Sequence, residues 1–313
     1  MSSLASEAVF FGHVVIDTVV KGGARWQNLG GTVIYGALTA LRHGYKPSIV
    51  SKVGEDFPDE YLIFLSRSGI DISHVRMVRG TKTTRFRLVY KDSERELVLQ
   101  ARAEDIGLVD VEAVDLSGKV AIVGPVIGEV PVEALASIRS RAALTAVDLQ
   151  GYLRLAKPRE TVRLVRSEQA LRVLSSAEIV HADAEEARVL TGLEPAQAAE
   201  WIAFRGPKAA LVTMGCTGAY VAAEGRLFHV PALQPDQVVD TTGAGDIFLT
   251  VFALEWARGA PPEEAAAMAA AAASLRVEKQ GFDGLRDRWM VKSRAQRLLE
   301  QIREARVEEA KSA

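Results

Sequence analysis

Asp240-Thr241-Thr242-Gly243-Ala244-Gly245-Asp246 is the most informative string in this 313-residue chain. It runs into an apolar stretch, Ile247 to Ala257, whose pattern predicts a helix ending near Gly259 and Pro261. A helix start offers unpaired N–H groups and a partial positive charge. Glycines let another group approach the backbone, and threonine is a good capping residue. Such a place suits a phosphate, or the charge that develops on a phosphoryl group in flight. Asp246 falls in the first helical turn. Held ionised by the same N–H groups, with an ordinary pKa of about 3.9, it can take a proton from a hydroxyl late in phosphoryl transfer. For Gly-Ala-Gly-Asp alone, an aspartate that merely stabilises the helix dipole is the plainer reading. The full seven-residue string is much more specific.

Other elements must position this turn. Val9 to Ile16 reads as a buried first strand ending in Asp17. Gly22-Gly23 marks a hairpin between Val19–Lys21 and Ala24–Gln27. Gly30-Gly31 opens a helix, Val33 to Arg42, which stops at Gly44. Ser48 to Val53 is a second buried strand, and Tyr61 to Ser68 a helix capped by Gly69. Thr83–Tyr90 and Glu96–Gln100 alternate around Lys91–Arg95 as a second hairpin. The two hairpins together predict a small sheet over the main body, spanning about 17–29 and 82–101. From Val120 onward, strands at Val120–Val123, Thr145–Leu149, Ile179–His181 and Ala210–Thr213 alternate with helical segments, including Pro131–Arg141 and Glu185–Leu190. That alternation predicts one α/β domain over residues 1–313, with a mostly parallel central sheet and helices on both faces. Ligands bind such sheets at the carboxyl ends of strands, where Asp17, Asp148 and Asp183 are expected. Arg286 to Lys311 reads as a charged amphipathic surface helix.

Composition narrows the class. The chain is 48% hydrophobic and 25% charged, as in ordinary globular enzymes. A net charge of -2 supplies no basic field for nucleic acid. The longest low-charge run, Ala265 to Leu275, is too short to span a bilayer. No basic region precedes the first apolar run, so no signal peptide is expected. The single cysteine, Cys216, forms no internal disulfide and fits a reducing cytoplasm. The single asparagine, Asn28, and a preference for arginine over lysine fit a thermophile, although genomic base composition explains the arginine equally well. His13, His74, His181 and Cys216 lack metal-ligand spacing, so no structural zinc is predicted. An exposed lid has strand edges that favour a homodimer.

The seven-residue string resembles the second signature of the ribokinase-like, or phosphofructokinase B-type, carbohydrate kinases. Gly12-His13-Val14-Val15-Ile16-Asp17, Gly30-Gly31, Lys52-Val53-Gly54-Glu55-Asp56 and Thr213-Met214-Gly215-Cys216-Thr217-Gly218-Ala219 resemble further landmarks in the family's order. The resemblance covers most of the chain. It implies a three-layer sandwich with a β-lid, ATP as donor, and Mg²⁺. By motif position it makes Asp246 the base and Gly243, Ala244 and Gly245 the anion hole. Asp17, Gly30 and Gly31, with Thr32 after them, match contacts to substrate hydroxyls. Thr242, Asp183, Thr213, Gly215 and Gly218 match the nucleotide side. The family's Asn-x-x-Glu stands here as Asp183-Ala184-Glu185-Glu186. Glu186 keeps register as the acid that holds Mg²⁺ through water. Capping a helix is the plainer role for both acids.

The acceptor is less legible. Ribokinases tend to carry lysine after the di-glycine, where this chain has Thr32. Val50–Phe57, Ala146–Arg154 and Ala182–Ala187 resemble the myo-inositol kinase branch, which makes a cyclic polyol the leading expectation, with nucleosides and sugars as alternatives. Glu129, in Gly128-Glu129-Val130-Pro131, resembles a sugar-holding glutamate, or is a surface helix-start acid. Asp148 reaches the cleft or caps a strand end. Arg87 reaches substrate from the lid or is solvated. Ala273 and Ser274 lie under an adenine or serve close helix packing. No dinucleotide-binding Gly-x-Gly-x-x-Gly and no Gly-x-x-x-x-Gly-Lys-Ser/Thr loop is present. A non-catalytic ligand sensor is the rival class, and retention of Asp246 speaks against it.

Overall fold

The computed structural model describes residues 6–91 and 94–305. A ten-stranded sheet runs through the molecule. Ala209–Thr213, Ile179–Asp183, Leu144–Asp148, Val120–Val123, Glu7–Phe11, Lys46–Gly54 and Asp71–Val78 lie side by side and parallel. Ala219–Ala223, Arg226–Val230 and Arg303–Glu304 extend one edge in antiparallel fashion. Helices cover both faces, and each face has its own apolar core. This is the ribokinase-like sandwich that the motifs implied.

A four-stranded sheet forms the lid, in the order Ala24–Gly30, Val15–Lys21, Arg85–Lys91, Glu94–Ala101. Gly22 and Gly23 both take positive φ, 58° and 81°, as a tight two-residue hairpin turn requires. The tip of the second hairpin includes 92 and 93, outside the described residues. Val15, Val19, Phe86, Leu88 and Leu99 form a small core under the lid with Val126 and Ile127.

Three expectations need correction. Val9 to Ile16 is not one strand: Glu7–Phe11 belongs to the central sheet and Val15–Lys21 to the lid. The chain leaves the sheet at Gly12, which packs against the Gly124 carbonyl at φ 152°, where a Cβ would clash. Asp17 therefore sits within a lid strand, not at the end of a central one. The amphipathic C-terminal helix covers only Arg288–Leu299. The chain then turns into a short edge strand, with the Ala305 N–H bonded to the Leu227 carbonyl. Residues 306–313 of the expected helix lie outside the described residues.

Candidate active site

Two helix N-termini converge where the parallel strands end. The helix Thr32–Arg42 begins at Gly31, φ 96°, and the helix Ala244–Ala257 begins at Gly243, φ 79°. Neither has a side-chain cap. Threonine does not cap the second helix, contrary to expectation. Instead Asp240 Oδ1 accepts the Thr242 N–H at 2.9 Å and shapes the turn from outside. The turn rests on an aromatic ring: a Cβ on Gly243 would meet Tyr35 ring carbons at 2.6 Å. The turn lines a cleft of about 570 Å³. Contrary to expectation, the Ala244 N–H is not free there, because it donates to the Thr241 carbonyl at 3.3 Å.

Asp246 lines this cleft and is partly open to it. Burial, then the neighbouring Asp148 charge, pushes its pKa up to about 6, while a hydrogen bond from Thr32 pulls the other way. The expectation of a carboxylate held near its ordinary range is therefore corrected. Desolvation outweighs the helix N-terminus here. A base poised near neutrality is better matched to proton transfer than one at 3.8. The Thr32 hydroxyl also accepts from the Gln150 side-chain amide at 2.9 Å.

An acidic group lies beside Asp246. Asp148, at a strand end and 2% exposed, accepts the Gln150 N–H on Oδ1 at 2.8 Å, and its Oδ2 lies 2.9 Å from His181 Nδ1. His181 Nε2 stands 3.1 Å from the Thr213 hydroxyl. Burial opposes protonation of His181, but the Asp148 charge and hydrogen bond prevail and raise its pKa. Asp183 and Glu186 form a reciprocal capping box at the start of the helix Ala184–Thr191. They also line the cleft. Burial, then Asp148 and Asp183, pushes Glu186 up to about 8.

The cleft has two ends around this centre. Under the lid, Asp17, Gly31 and Thr32 face Val15, Phe86, Leu88, Leu97 and Val126. Gly30 is not in the lining, but a Cβ there would strike Asp17 Oδ2 at 2.5 Å. Thr213, Gly215, Gly218, Leu233, Ala273, Ser274 and Val277 also line the cleft, and the Ser274 hydroxyl donates to the Leu233 carbonyl at 3.0 Å. Gly218, at φ 102°, crowds the Val230 carbonyl.

Two expected residues lie elsewhere. Glu129 is fully buried and accepts N–H bonds from His13, Val126 and Ile127 at 2.8–3.0 Å. It is neither a cleft residue nor a surface acid. Arg87 is exposed on the lid, because Phe86 and Leu88 take the cleft-facing side and alternation turns Arg87 away. Sequence reasoning missed Arg154, the one arginine or lysine among the described residues that line the cleft. Its signal was its place, shortly after the strand end at Asp148.

Over residues 7–286 the sequence matches the model of the pfkB family of carbohydrate kinases. The chain belongs to that family. It is 32% identical over 265 residues to the cytidine kinase of Thermococcus kodakarensis, covering 82% of this chain and 91% of that one. It is 26% identical over 256 residues to the fructoselysine 6-kinase of Escherichia coli, covering 80% and 90%. Among solved structures, a pyrophosphate-dependent kinase of the ribokinase family, complexed with a pyrophosphate analogue and myo-inositol, superposes with a TM-score of 0.79 at 24% identity, over 91% of this chain and 99% of that one. Arabidopsis thaliana ribokinase, complexed with ribose and ATP, gives 0.71 at 22%, over 95% and 99%. As a pfkB-family kinase the chain is a phosphotransferase with a hydroxyl acceptor. No helix among the described residues is long and apolar enough to cross a membrane.

Proposed function

We propose that this kinase moves the terminal phosphoryl group of ATP onto a hydroxyl of a small polyhydroxylated acceptor held beneath the lid, with Asp246 as the base. The observation that carries this is the Asp246 carboxylate, poised near pH 6 in the cleft, one residue from a glycine-rich turn without a side-chain cap. The acceptor oxygen bonds to the γ-phosphorus while the bridging oxygen leaves with ADP. The acceptor proton passes to Asp246. The amides of Gly243 and Gly245 hold the transferring oxygens, since the Ala244 N–H already donates to the Thr241 carbonyl at 3.3 Å. The nucleotide lies along Thr213–Gly218, over Ala273 and Ser274. Glu186 and Asp183 fit Mg²⁺ held through water, since a carboxyl pushed toward protonation by burial and by neighbouring acids gains from a hard cation. Bound there, Mg²⁺ would neutralise phosphate charge.

The lid end divides into an apolar wall, including Phe86 and Leu88, and a polar floor of Asp17 and Thr32. A nucleoside suits that division, with its ribose hydroxyls on Asp17 and the bare Gly30-Gly31 backbone and its flat base against Phe86. The likeness to a cytidine kinase supports this. Myo-inositol is the second reading. It rests on the Ala146–Arg154 string, from which Asp148, Gln150 and Arg154 all line the cleft. A phosphorylation screen with ATP against cytidine, myo-inositol, ribose and fructose 6-phosphate tests the proposal. Turnover of one acceptor is expected. Binding without ADP release for all of them would place the chain with ligand sensors instead.

The cytoplasm is the expected compartment, and the lone Asn28 suits a heat-adapted source. A homodimer would use the outer edge of Ala24–Gly30. The opposite lid edge is covered by 159–162, through the Leu99 N–H to Glu160 O and Val162 N–H to Leu97 O bonds.

A further inference from the structure

Arg276 is the bulkiest side chain fully removed from solvent among the described residues. It ends the helix Pro262–Arg276 and does not line the cleft. A buried guanidinium is unfavourable unless its charge is paired and its donors are met. Nη1 donates to the Asp240 carbonyl at 3.1 Å and the Lys279 carbonyl at 2.9 Å. Nη2 donates to Asp240 Oδ2 at 2.8 Å and reaches the Tyr35 hydroxyl at 3.5 Å. The guanidinium carbon lies 5.2 Å from the Tyr35 ring centre. Nε finds no acceptor, so the two outer nitrogens set this placement.

Of these partners, Asp240 opens the glycine-rich turn and Tyr35, from the helix Thr32–Arg42, lies under it. The other Asp240 oxygen accepts the Thr242 N–H. Asp240 Oδ2 also accepts the Gly281 N–H at 3.2 Å, which ties the turn to the segment after the helix. Tyr35 is the ring on which Gly243 rests. Burial would raise the Asp240 pKa, but Arg276 and Thr242 overcome it and hold the carboxyl below its usual range. One forked cation therefore grips the first residue of the turn and the surface beneath it. A lysine, with a point charge and no planar fork, cannot make the same set of bonds.

We propose that Arg276 is a positioning residue for phosphoryl transfer, holding the Thr241–Gly245 turn in the shape that aims its amides at the donor phosphate without touching either substrate. The inference rests on the kinase reading for its effect on turnover. Its hold on the turn is measurable apart from that reading.

The test compares the full-length wild type with Arg276→Ala, Arg276→Lys and Asp240→Asn, by turnover and by amide hydrogen exchange over 240–250. In Arg276→Ala, kcat is expected to fall about 10²-fold while the acceptor KM changes less than about 3-fold, the pattern of a lost transition-state interaction. Exchange at 241–246 should quicken by about 10-fold or more. Added methylguanidinium should recover part of the loss in Arg276→Ala, and Arg276→Lys should recover little. Asp240→Asn should show a smaller loss of the same kind, and it serves if Arg276→Ala does not fold. Unchanged exchange in a folded variant, or kcat within about 3-fold of wild type, overturns the proposal, as does an acceptor KM that rises as far as kcat falls. A wild type that phosphorylates no acceptor defeats the kinase reading instead, and the exchange rates then decide the role of Arg276.

Discussion

The Thr32 hydroxyl accepts from the Gln150 side-chain amide at 2.9 Å and also acts to lower the pKa of Asp246, so one side chain bears on the starts of two helices that line the cleft. Its polar interaction with Asp246 favours the ionised carboxylate. In Thr32→Val it is lost, and the Asp246 pKa should rise further. The acid limb of kcat/KM, centred near the Asp246 value of about 6 in the free enzyme, should move to higher pH. Turnover at pH 6 should fall more than turnover at pH 8. A profile that keeps its midpoint would remove Asp246 from the role of base. Asp246→Ala, by the same argument, should cost more than about 10³-fold in kcat while ATP still binds.

The raised pKa of Asp246 also bears on stability. The group titrates near 3.8 in the unfolded chain and near 6 in the folded one. Between those values the native state binds the extra proton, so stability falls as pH rises through that window. Above it the penalty is constant. Asp246→Asn escapes this penalty while keeping an acceptor for Thr32. It should be more stable than wild type at pH 8 by roughly 1–2 kcal/mol, after allowance for screening in the open cleft, and so unfold at a higher temperature. The gain should vanish near pH 4. Calorimetric scans at the two pH values give the answer, and a variant less stable than wild type at pH 8 contradicts the raised pKa.

What could be read beforehand was whatever depends on local spacing. The turn from Asp240 to Asp246, the Gly22-Gly23 hairpin and the strand-end acids Asp148 and Asp183 all lie where the pattern put them. What could not be read depends on contacts between distant segments. Both halves of Val9–Ile16 are apolar because Val9 to Phe11 fill the cores on the two faces of the central sheet, while Val14 and Ile16 join one of these and Val15 enters the lid core, so no change of pattern marks the break at Gly12. Arg87 and Phe86 differ only in strand parity, and which parity faces the cleft is set by the lid's docking. Arg276 carries a charge that ordinarily marks a surface, and its acceptors come from 240 and 279. The Asp246 pKa rests first on burial by the assembled fold and then on Asp148, nearly a hundred positions earlier in the chain.

Asp17 offers a test of the lid end. It faces the cleft from Val15–Lys21, beside the Gly30 backbone. Asp17→Ala should raise the acceptor KM by about 10²-fold or more, as expected when a charged hydrogen-bond partner is removed, and leave the ATP KM within about 3-fold. Steady-state kinetics with each substrate varied in turn would show it. Equal changes in both constants would place Asp17 outside the acceptor pocket.

Glu129 should behave differently despite its resemblance to a sugar-holding acid. Its carboxylate closes a knot of backbone donors from His13, Val126 and Ile127. Glu129→Ala leaves those buried N–H groups without partners, at a cost of about 3 kcal/mol or more. Its melting temperature should fall by about 5 °C or more. The surviving folded enzyme should keep its acceptor KM within about 3-fold, because the side chain is not in the cleft. A strong KM effect with no loss of stability would return Glu129 to the acceptor pocket.

Arg154 stands alone as a full positive charge on the cleft wall, among the described residues, amid Asp148, Glu186 and Asp246. Its Nη1 makes one long bond, 3.4 Å, to the Val126 carbonyl. Its charge favours ionisation of both Glu186 and Asp246. Two consequences separate its presence from mere packing. Arg154→Gln should lower kcat by about 10²-fold, because a cation near the transferring phosphoryl group acts mainly in the transition state. The acid limb should also shift to higher pH, since Asp246 loses a neighbour that holds it ionised. A kinetic pH profile of Arg154→Gln beside Arg154→Lys measures both. Lysine should restore the position of the limb, which needs only charge, more fully than it restores kcat, which needs the planar fork. A limb that stays in place in Arg154→Gln would mean that Asp246 does not feel this guanidinium.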